Sequence, residues 1–219
     1  MTNRHPVKDN LLAMQAQVDE HAQEAGHEVQ LVAVSKTKPD EDLLAAYDAG
    51  QRDFGENRVQ ELVYKAERLP RDIRWHMIGH IQTNKIKDFL PCVHLVHGVD
   101  RVKVLDVMER EAAQLDRTVD LLLQVHIAAE STKFGFSPEE LRDLAQREVW
   151  EAYPHLRPVG LMGMATFTDD QNQVRLEFKL LHTLFQEMDN AMHPVATARG
   201  AAWRTLSMGM SGDLSLIHI

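Results

Sequence analysis

The chain has 219 residues, of which 44% are hydrophobic, and its formal net charge is −9. A chain of this length can build one sizeable core, as single α/β barrels do. The acidic charge and the lack of a basic tract argue against binding to nucleic acid or to an anionic membrane. A single cysteine, Cys92, rules out an intramolecular disulfide. Because the N-terminus is polar and no apolar run approaches the ~20 residues of a membrane span, we expect a cytoplasmic protein.

Strand and helix patterns alternate along the chain, and both are recognised by their hydrophobic periodicity. The predicted strands are 31–36, 52–57, 74–79, 93–99, 120–127, 158–164 and 205–210. The predicted helices are 7–26, 39–50, 59–69, 84–90, 102–115, one that begins at Ser137, and 172–192. Ser137 is followed by Pro138 and by Glu140, which is the sequence of a capping box with proline in the first turn.

This alternation predicts right-handed crossovers and a parallel sheet in an α/β fold. No GxGxxG motif follows the first strand, so a (β/α)8 TIM-type barrel is favoured over a dinucleotide-binding sheet. We expect one domain over residues 1–213, a barrel that lacks its last β/α unit. The last six residues, 214–219, do not have the pattern of the missing helix and are predicted to be a non-native tail.

The first predicted strand ends in a lysine, Lys36. Its apolar residues show no polar alternation, which is typical of a strand buried on both faces. The carboxyl edge of a parallel sheet is where chemistry collects, and we expect partial desolvation to favour the neutral, nucleophilic amine of Lys36. The alternative is a surface lysine that only happens to follow a strand.

Small and hydroxyl-bearing residues, from Ser207 to Ser211, end the seventh predicted strand. In barrels, phosphate binds at the loops after strands seven and eight, and both serines would add hydroxyl donors. A glycine there can also simply ease strand packing. A lysine and a phosphate cup at the same barrel mouth suit a phosphorylated aldehyde held as a Schiff base, for which pyridoxal 5'-phosphate (PLP) is the obvious candidate.

Six segments, in order along the chain, resemble the pyridoxal-phosphate homeostasis proteins, a family similar to the N-terminal barrel of alanine racemase. They are VAVSKTKP (32–39), DFGENRVQE (53–61), WHMIGHIQTNK (75–85), ESTKFGF (130–136), GLMGM (160–164) and LSMGMSGD (206–213). The resemblance implies a PLP site built from Lys36, Asn57, His76, Ser207, Met208, Gly209 and Ser211. In this site Lys36 forms the Schiff base and the segment from Ser207 holds the phosphate.

The resemblance also implies a non-catalytic function, in which the protein binds PLP and balances its supply and that of related amino and keto acids. We expect a monomer whose partners are PLP and PLP-dependent apoenzymes. The alternative is a PLP-dependent amino-acid racemase, which needs an acid or base on each face of the cofactor. Alanine racemase supplies a tyrosine for the second face. Here Tyr47, Tyr64 and Tyr153 all fall in predicted helices away from the mouth.

Three further interpretations compete with this one. A Schiff-base aldolase would place an acid–base residue beside its lysine, and none lies near Lys36 in the sequence. A pure interaction module would leave Lys36 unexplained. Twelve histidines suggest a metal site, but His94 and His97 are an odd number of residues apart on a predicted strand and should point to opposite faces. We therefore predict no metal site.

The family continues after residue 213 with a helix, an eighth strand and a turn that completes the phosphate site. Without them, strands one and seven would keep open edges and the barrel core would have a gap. We expect the chain as given to be less stable, and to hold PLP more weakly, than a version that carries the missing unit.

Overall fold

The computed structural model describes residues 6–129 and 134–213. Its strands are β1 (Ala33–Val34), β2 (Asp53–Glu56), β3 (Arg74–Met77), β4 (Val93–Val99), β5 (Val119–Val125), β6 (Leu156–Gly163) and β7 (Thr205–Ser207). Its helices are α1 (Pro6–Ala25), α2 (Asp40–Asp48), α3 (Val59–Arg68), α4 (Ile86–Phe89), α5 (Val102–Gln114), α6 (Pro138–Leu144), α7 (Arg147–Trp150) and α8 (Gln171–Thr197), with a 3₁₀ turn at Thr83–Lys85. None of the described helices is long and apolar enough to cross a membrane.

The seven strands form one sheet in sequential order, and every neighbouring pair is parallel. A doubly wound sheet would reverse its strand order in the middle, whereas a barrel keeps it sequential. The sheet curls strongly. This is shown by His97 in β4, which contacts Ser207 in β7 across the interior, with 2.9 Å between Nδ1 and Oγ. The predicted α/β barrel fold is therefore confirmed. Among the described residues, β1 and β7 are the two edges of the sheet.

The main hydrophobic core lies between the sheet and its helices. Apolar positions on one face of each long helix are buried, such as Leu62 in α3, Leu105 in α5 and Leu181 in α8. The predicted capping box at the start of α6 is confirmed: Glu140 N–H donates to Ser137 Oγ at 3.2 Å, and Ser137 N–H donates to Glu140 Oε2 at 2.8 Å.

Several elements differ from the predictions: α7 was not predicted, and β3 and β5 each end two residues before their predicted ends. The expectation that the first strand is buried on both faces is wrong, since Val34 is 51% exposed and β1 pairs only with β2 among the described residues. Strand β7 ends at Ser207, three residues early. Helix α8 runs five residues past its predicted end and contains Pro194. Burial of Val195 and Ala196 against the core offsets the cost of that proline.

Two glycines permit a close approach of neighbouring backbones. A Cβ atom on Gly160 would lie 1.7 Å from Thr205 O, so only glycine permits this pairing of β6 with β7. A Cβ atom on Gly79 would lie 2.2 Å from Asn57 O, beyond the ends of β3 and β2. Both glycines belong to segments that carried the family resemblance. Of the segments that carried the resemblance, ESTKFGF (130–136) lies partly outside the described residues. Lys133, which belongs to that segment, and the predicted tail at 214–219 lie wholly outside them.

Candidate cofactor site

The carboxyl ends of the strands bring several predicted site residues to one edge of the sheet. Lys36 follows β1 by two residues, Asn57 directly follows β2, and Ser207 ends β7. Because all seven strands are parallel, these positions lie on the same rim, where barrel active sites form. His76 does not lie at this rim, because it is within β3, and it is only 2% exposed.

Lys36 lies in a turn on the surface, with its neighbour Ser35 buried. The expected partial desolvation of its amine is wrong, because β1 ends at Val34 and the turn carries Lys36 into solvent. No hydrogen bond or ion pair engages the Lys36 side chain within residues 6–129 and 134–213. In contrast, Lys38 Nζ lies 4.0 Å from Asp42 Oδ2.

The segment after β7 forms a compact turn. Met210 N–H donates to Asp213 Oδ2 and Asp213 N–H donates to Met210 O, each at 2.8 Å. Gly209 has φ +81°, a left-handed conformation that favours glycine. Ser211 is exposed, and Met208 is half-buried against the main core.

A chain of polar side chains crosses the barrel interior and ends at Ser207. His76 Nε2 lies 3.0 Å from Asp53 Oδ1, and His76 Nδ1 lies 2.9 Å from His97 Nε2. His97 Nδ1 then contacts Ser207 Oγ. Arg74 binds both oxygens of Asp53 at the other end, with its Nε 2.7 Å from Oδ1. The structure therefore connects His76 to Ser207 through His97.

Burial and hydrogen bonds have opposite effects on the ionisation of the side chains in this hydrogen-bonded row. Burial raises the pKa of Asp53, but hydrogen bonds from His76, Arg74 and Gln30 outweigh it and hold that pKa well below its usual range. Burial, together with the nearby His76 and His94, lowers the pKa of His97 to about 3. His97 is therefore neutral at pH 7, and Asp53 is ionised.

The proton count fixes the direction of these hydrogen bonds. If each imidazole carries one proton, His76 donates to Asp53, His97 donates to His76, and the Ser207 hydroxyl donates to His97. The hydroxyl of Ser207 is then not free to donate to a phosphate.

The expectation that His94 and His97 point to opposite faces is wrong. Their ring centroids lie 5.5 and 5.1 Å from that of His76. The reason is a bulge in β4, because Trp75 pairs with Val93 and His76 with Leu95, which leaves His94 as an extra residue. Within the described ranges, no group of three or more His, Cys, Asp or Glu side chains is arranged to hold a metal ion.

The sequence interpretation missed a second polar cluster, which lies on the outer side of β1 and β2. Ser35 Oγ donates to Glu56 Oε1, and Lys65 Nζ of α3 contacts the same oxygen, both at 2.7 Å. Thr37 N–H donates to Glu61 Oε2, also at 2.7 Å. One signal was available in the sequence: Lys65 lies on the buried face of α3 together with Leu62.

Comparisons with known proteins agree with this architecture. The model of the family "Alanine racemase, N-terminal domain" matches residues 10–216. A pyridoxal phosphate homeostasis protein from Pasteurella multocida is 35% identical over 95% of this chain and 89% of its own length. The structure of PipY from Synechococcus elongatus with PLP bound is 29% identical, with a TM-score of 0.68 over 89% of this chain and 98% of that one.

A more distant structure shares only the fold. Alanine racemase from Streptomyces coelicolor is 18% identical, with a TM-score of 0.69 over 95% of this chain and 54% of the racemase. The sequential parallel sheet and its polar rim define a barrel of the alanine racemase N-terminal class. The chain belongs to that family and, within it, to the pyridoxal phosphate homeostasis proteins.

Proposed function

We propose that this protein binds PLP through a Schiff base on Lys36 and takes part in maintaining the PLP supply and the amino- and keto-acid balance of the cell. The observation that carries the proposal is the placement of Lys36 and Ser207 at carboxyl ends of parallel strands, on one rim. The Lys36 amine has no partner among the described side chains, so it is available to an aldehyde. The solved relative with PLP bound supports the proposal.

The residues present at the rim fit such a ligand. PLP supplies an aldehyde for the amine at one end and a phosphate at the other. The turn from Met208 to Ser211 contains a left-handed glycine, and its backbone N–H groups other than that of Met210, which donates to Asp213, could serve a phosphate. Asn57 lies at the same rim, and His76 acts through its hydrogen bond to His97. This chain's own residues would therefore bind and orient the ligand.

We propose that the protein does not catalyse amino-acid racemisation efficiently. A racemase needs a second acid or base opposite the lysine. Tyr47 donates to Asp72 from α2, Tyr153 donates to Asp106, and Tyr64 is 54% exposed on α3. Tyr153 lies in the loop before β6 rather than in the predicted helix, at the edge opposite the rim. None of these tyrosines is positioned to act opposite Lys36.

The test is to incubate the protein with PLP, record the visible spectrum, reduce with borohydride and map the labelled peptide. We expect a violet-absorbing Schiff base and one label, on Lys36. The label should be lost in Lys36→Ala and kept in Lys38→Ala, the matched neighbouring lysine. A parent protein that stays colourless, or a label elsewhere, would refute the proposal. Alanine racemisation that disappears in Lys36→Ala would instead favour the racemase.

We further propose a monomeric cytoplasmic protein that passes PLP to PLP-dependent apoenzymes. The single cysteine supports a reducing compartment. Light scattering coupled to size-exclusion chromatography tests the monomer. Reactivation of an apo-aminotransferase by the loaded protein, faster than by the PLP that it releases into solution, tests direct transfer.

A further inference from the structure

The turn that carries Lys36 is anchored on both sides of the lysine. On one side, Ser35 donates from Oγ to Glu56 Oε1 and accepts from Lys65 Nζ at its carbonyl, at 2.7 and 2.8 Å. On the other side, Thr37 N–H donates to Glu61 Oε2 at 2.7 Å. The peptide groups on both sides of the lysine are thereby fixed, while its side chain has no partner in the described part of the chain.

The anchors belong to one charge cluster, in which Lys65 and Glu56 are buried and the side chain of Glu61 is 23% exposed. Lys65 Nζ lies 2.7 Å from Glu56 Oε1 and 3.6 Å from Glu61 Oε2. Lys65 is 4% exposed and Glu56 is not exposed at all. The second oxygen of Glu56, Oε2, is buried without a hydrogen-bond partner among the described residues. Burying such a cluster is costly, and apolar side chains of similar size are often as stable. Stability alone is a weak reason for it.

The turn also contains strain that the cluster holds in place. Thr37 has φ +62°, a left-handed conformation that is unfavourable for a β-branched residue. Thr37 Oγ1 donates to Lys36 O at 2.6 Å. Conformations of this kind persist only where the surroundings fix them, and they concentrate at functional sites. Two contacts fix this one: Lys38 N–H donates to Ser35 O at 3.1 Å and closes the turn, and Thr37 N–H donates to Glu61.

We infer that Glu61, held by Lys65, is a positioning residue that fixes the turn around Thr37 so that Lys36 presents its amine at the rim. The inference rests on the proposed Schiff-base role of Lys36. A fixed turn reduces the conformational freedom that the lysine loses when its ligand binds. Loss of Glu61 should therefore slow and weaken Schiff-base formation without changing the amine itself.

The experiment compares Glu61→Ala with Glu61→Gln. The amide oxygen of glutamine still accepts from Thr37 N–H, whereas alanine cannot. We expect Glu61→Ala to weaken PLP binding about tenfold, the effect of losing one charge-assisted hydrogen bond, and Glu61→Gln, which keeps a neutral hydrogen bond about half as strong, to weaken it only about threefold. Hydrogen exchange of the Thr37 amide, measured without PLP, should accelerate in the alanine variant.

The matched control is Glu109→Ala. Glu109 lies on α5 and accepts from His155 N–H at 3.0 Å, so it also ties a helix carboxylate to a loop backbone, but before β6 at the opposite edge. We expect this variant to lose thermal stability and to keep the PLP affinity of the parent. If Glu109→Ala weakens PLP binding as much as Glu61→Ala does, the effect is general destabilisation and the inference is wrong.

A double-mutant cycle with Thr37→Gly makes the test independent of folding losses. Glycine adopts positive φ without strain. Glu61→Ala should therefore cost less PLP affinity in the Thr37→Gly background than in the parent. An equal loss of PLP affinity in the two backgrounds would overturn the inference. Unchanged PLP binding and unchanged amide exchange in Glu61→Ala would overturn it as well. In either case, labelling of Lys36 in the parent would leave the proposed function intact. A parent that cannot be labelled on Lys36 would overturn both.

Discussion

The charge of His97 depends strongly on its surroundings. Its pKa in the folded protein is about 3, compared with 6.5 for an ordinary histidine. Between these values the unfolded chain binds a proton that the folded chain does not, so stability rises with pH in this window and falls as pH drops from about 6.5 towards 3. One proton corresponds to a slope of up to about 1.4 kcal/mol per pH unit.

We therefore expect His97→Gln to have a shallower dependence of unfolding free energy on pH. Urea unfolding between pH 4 and pH 7 measures it, and the parent should lose up to ~1.4 kcal/mol more per pH unit than the variant. His193, on the surface of α8 with its side chain 56% exposed, provides the control substitution. Parallel curves for the parent and His97→Gln would show that His97 is already protonated in the folded state.

The residues of the site differ in how well the sequence could predict them. Lys36 and Ser207 follow directly from a strand that ends in a lysine and a strand that ends in small residues. The roles of Glu61 and His97 could not be predicted from such patterns. Glu61 reaches Thr37 only because α3 packs against β1 and β2, and His97 faces His76 only because β4 bulges at His94. Local hydrophobic periodicity carries no information about contacts between separate elements or about a shift in strand register.

At the scale of elements, the start of α6 illustrates a local signal that the fold does not override. Ser137→Ala should remove the N-cap hydrogen bond from Glu140 N–H and cost about 1 kcal/mol. For a chain of this size that corresponds to a fall in melting temperature of about 2–4 °C. Calorimetry measures it, and Ser137→Asp, which retains a cap, should show a smaller fall.

The ends of α8 and β1 show the opposite case. Proline usually ends a helix, yet α8 continues past Pro194 because Val195 and Ala196 are buried in the core. The apolar run before Lys36 predicts a long buried strand, yet only Ala33 and Val34 form ladder pairs. In both elements, tertiary packing outweighs the local pattern. Neither effect can be obtained from one segment at a time.

At the scale of the whole molecule, the proposed ligand contacts lie at the two edges of the sheet. Lys36 follows β1 and Ser207 ends β7, which are unpaired with each other in the described structure. One ligand held at both positions would join the edges. At one hundred times its dissociation constant, such a ligand adds about 2.7 kcal/mol to the free energy of unfolding.

We expect PLP to protect amides of both β1 and β7 from hydrogen exchange. Pyridoxal, which has the aldehyde without the phosphate, should protect mainly β1 and raise the melting temperature less. Lys36→Ala should retain weaker, phosphate-dependent protection at β7. Equal protection of both strands by pyridoxal would contradict the assignment of the phosphate to the segment 207–211.

The close approach of β6 and β7 at Gly160 affects how variants of this protein should be interpreted. A library screened for variants that no longer bind PLP should return Gly160 as a hit, because any larger residue would displace Thr205 and the turn beyond it, where the phosphate is proposed to bind. If the hits were then ranked by their distance from bound PLP, Gly160 would wrongly be judged irrelevant to binding. In the proposed site, a residue that touches no ligand would therefore matter for binding, because it lets two strand backbones pack against each other.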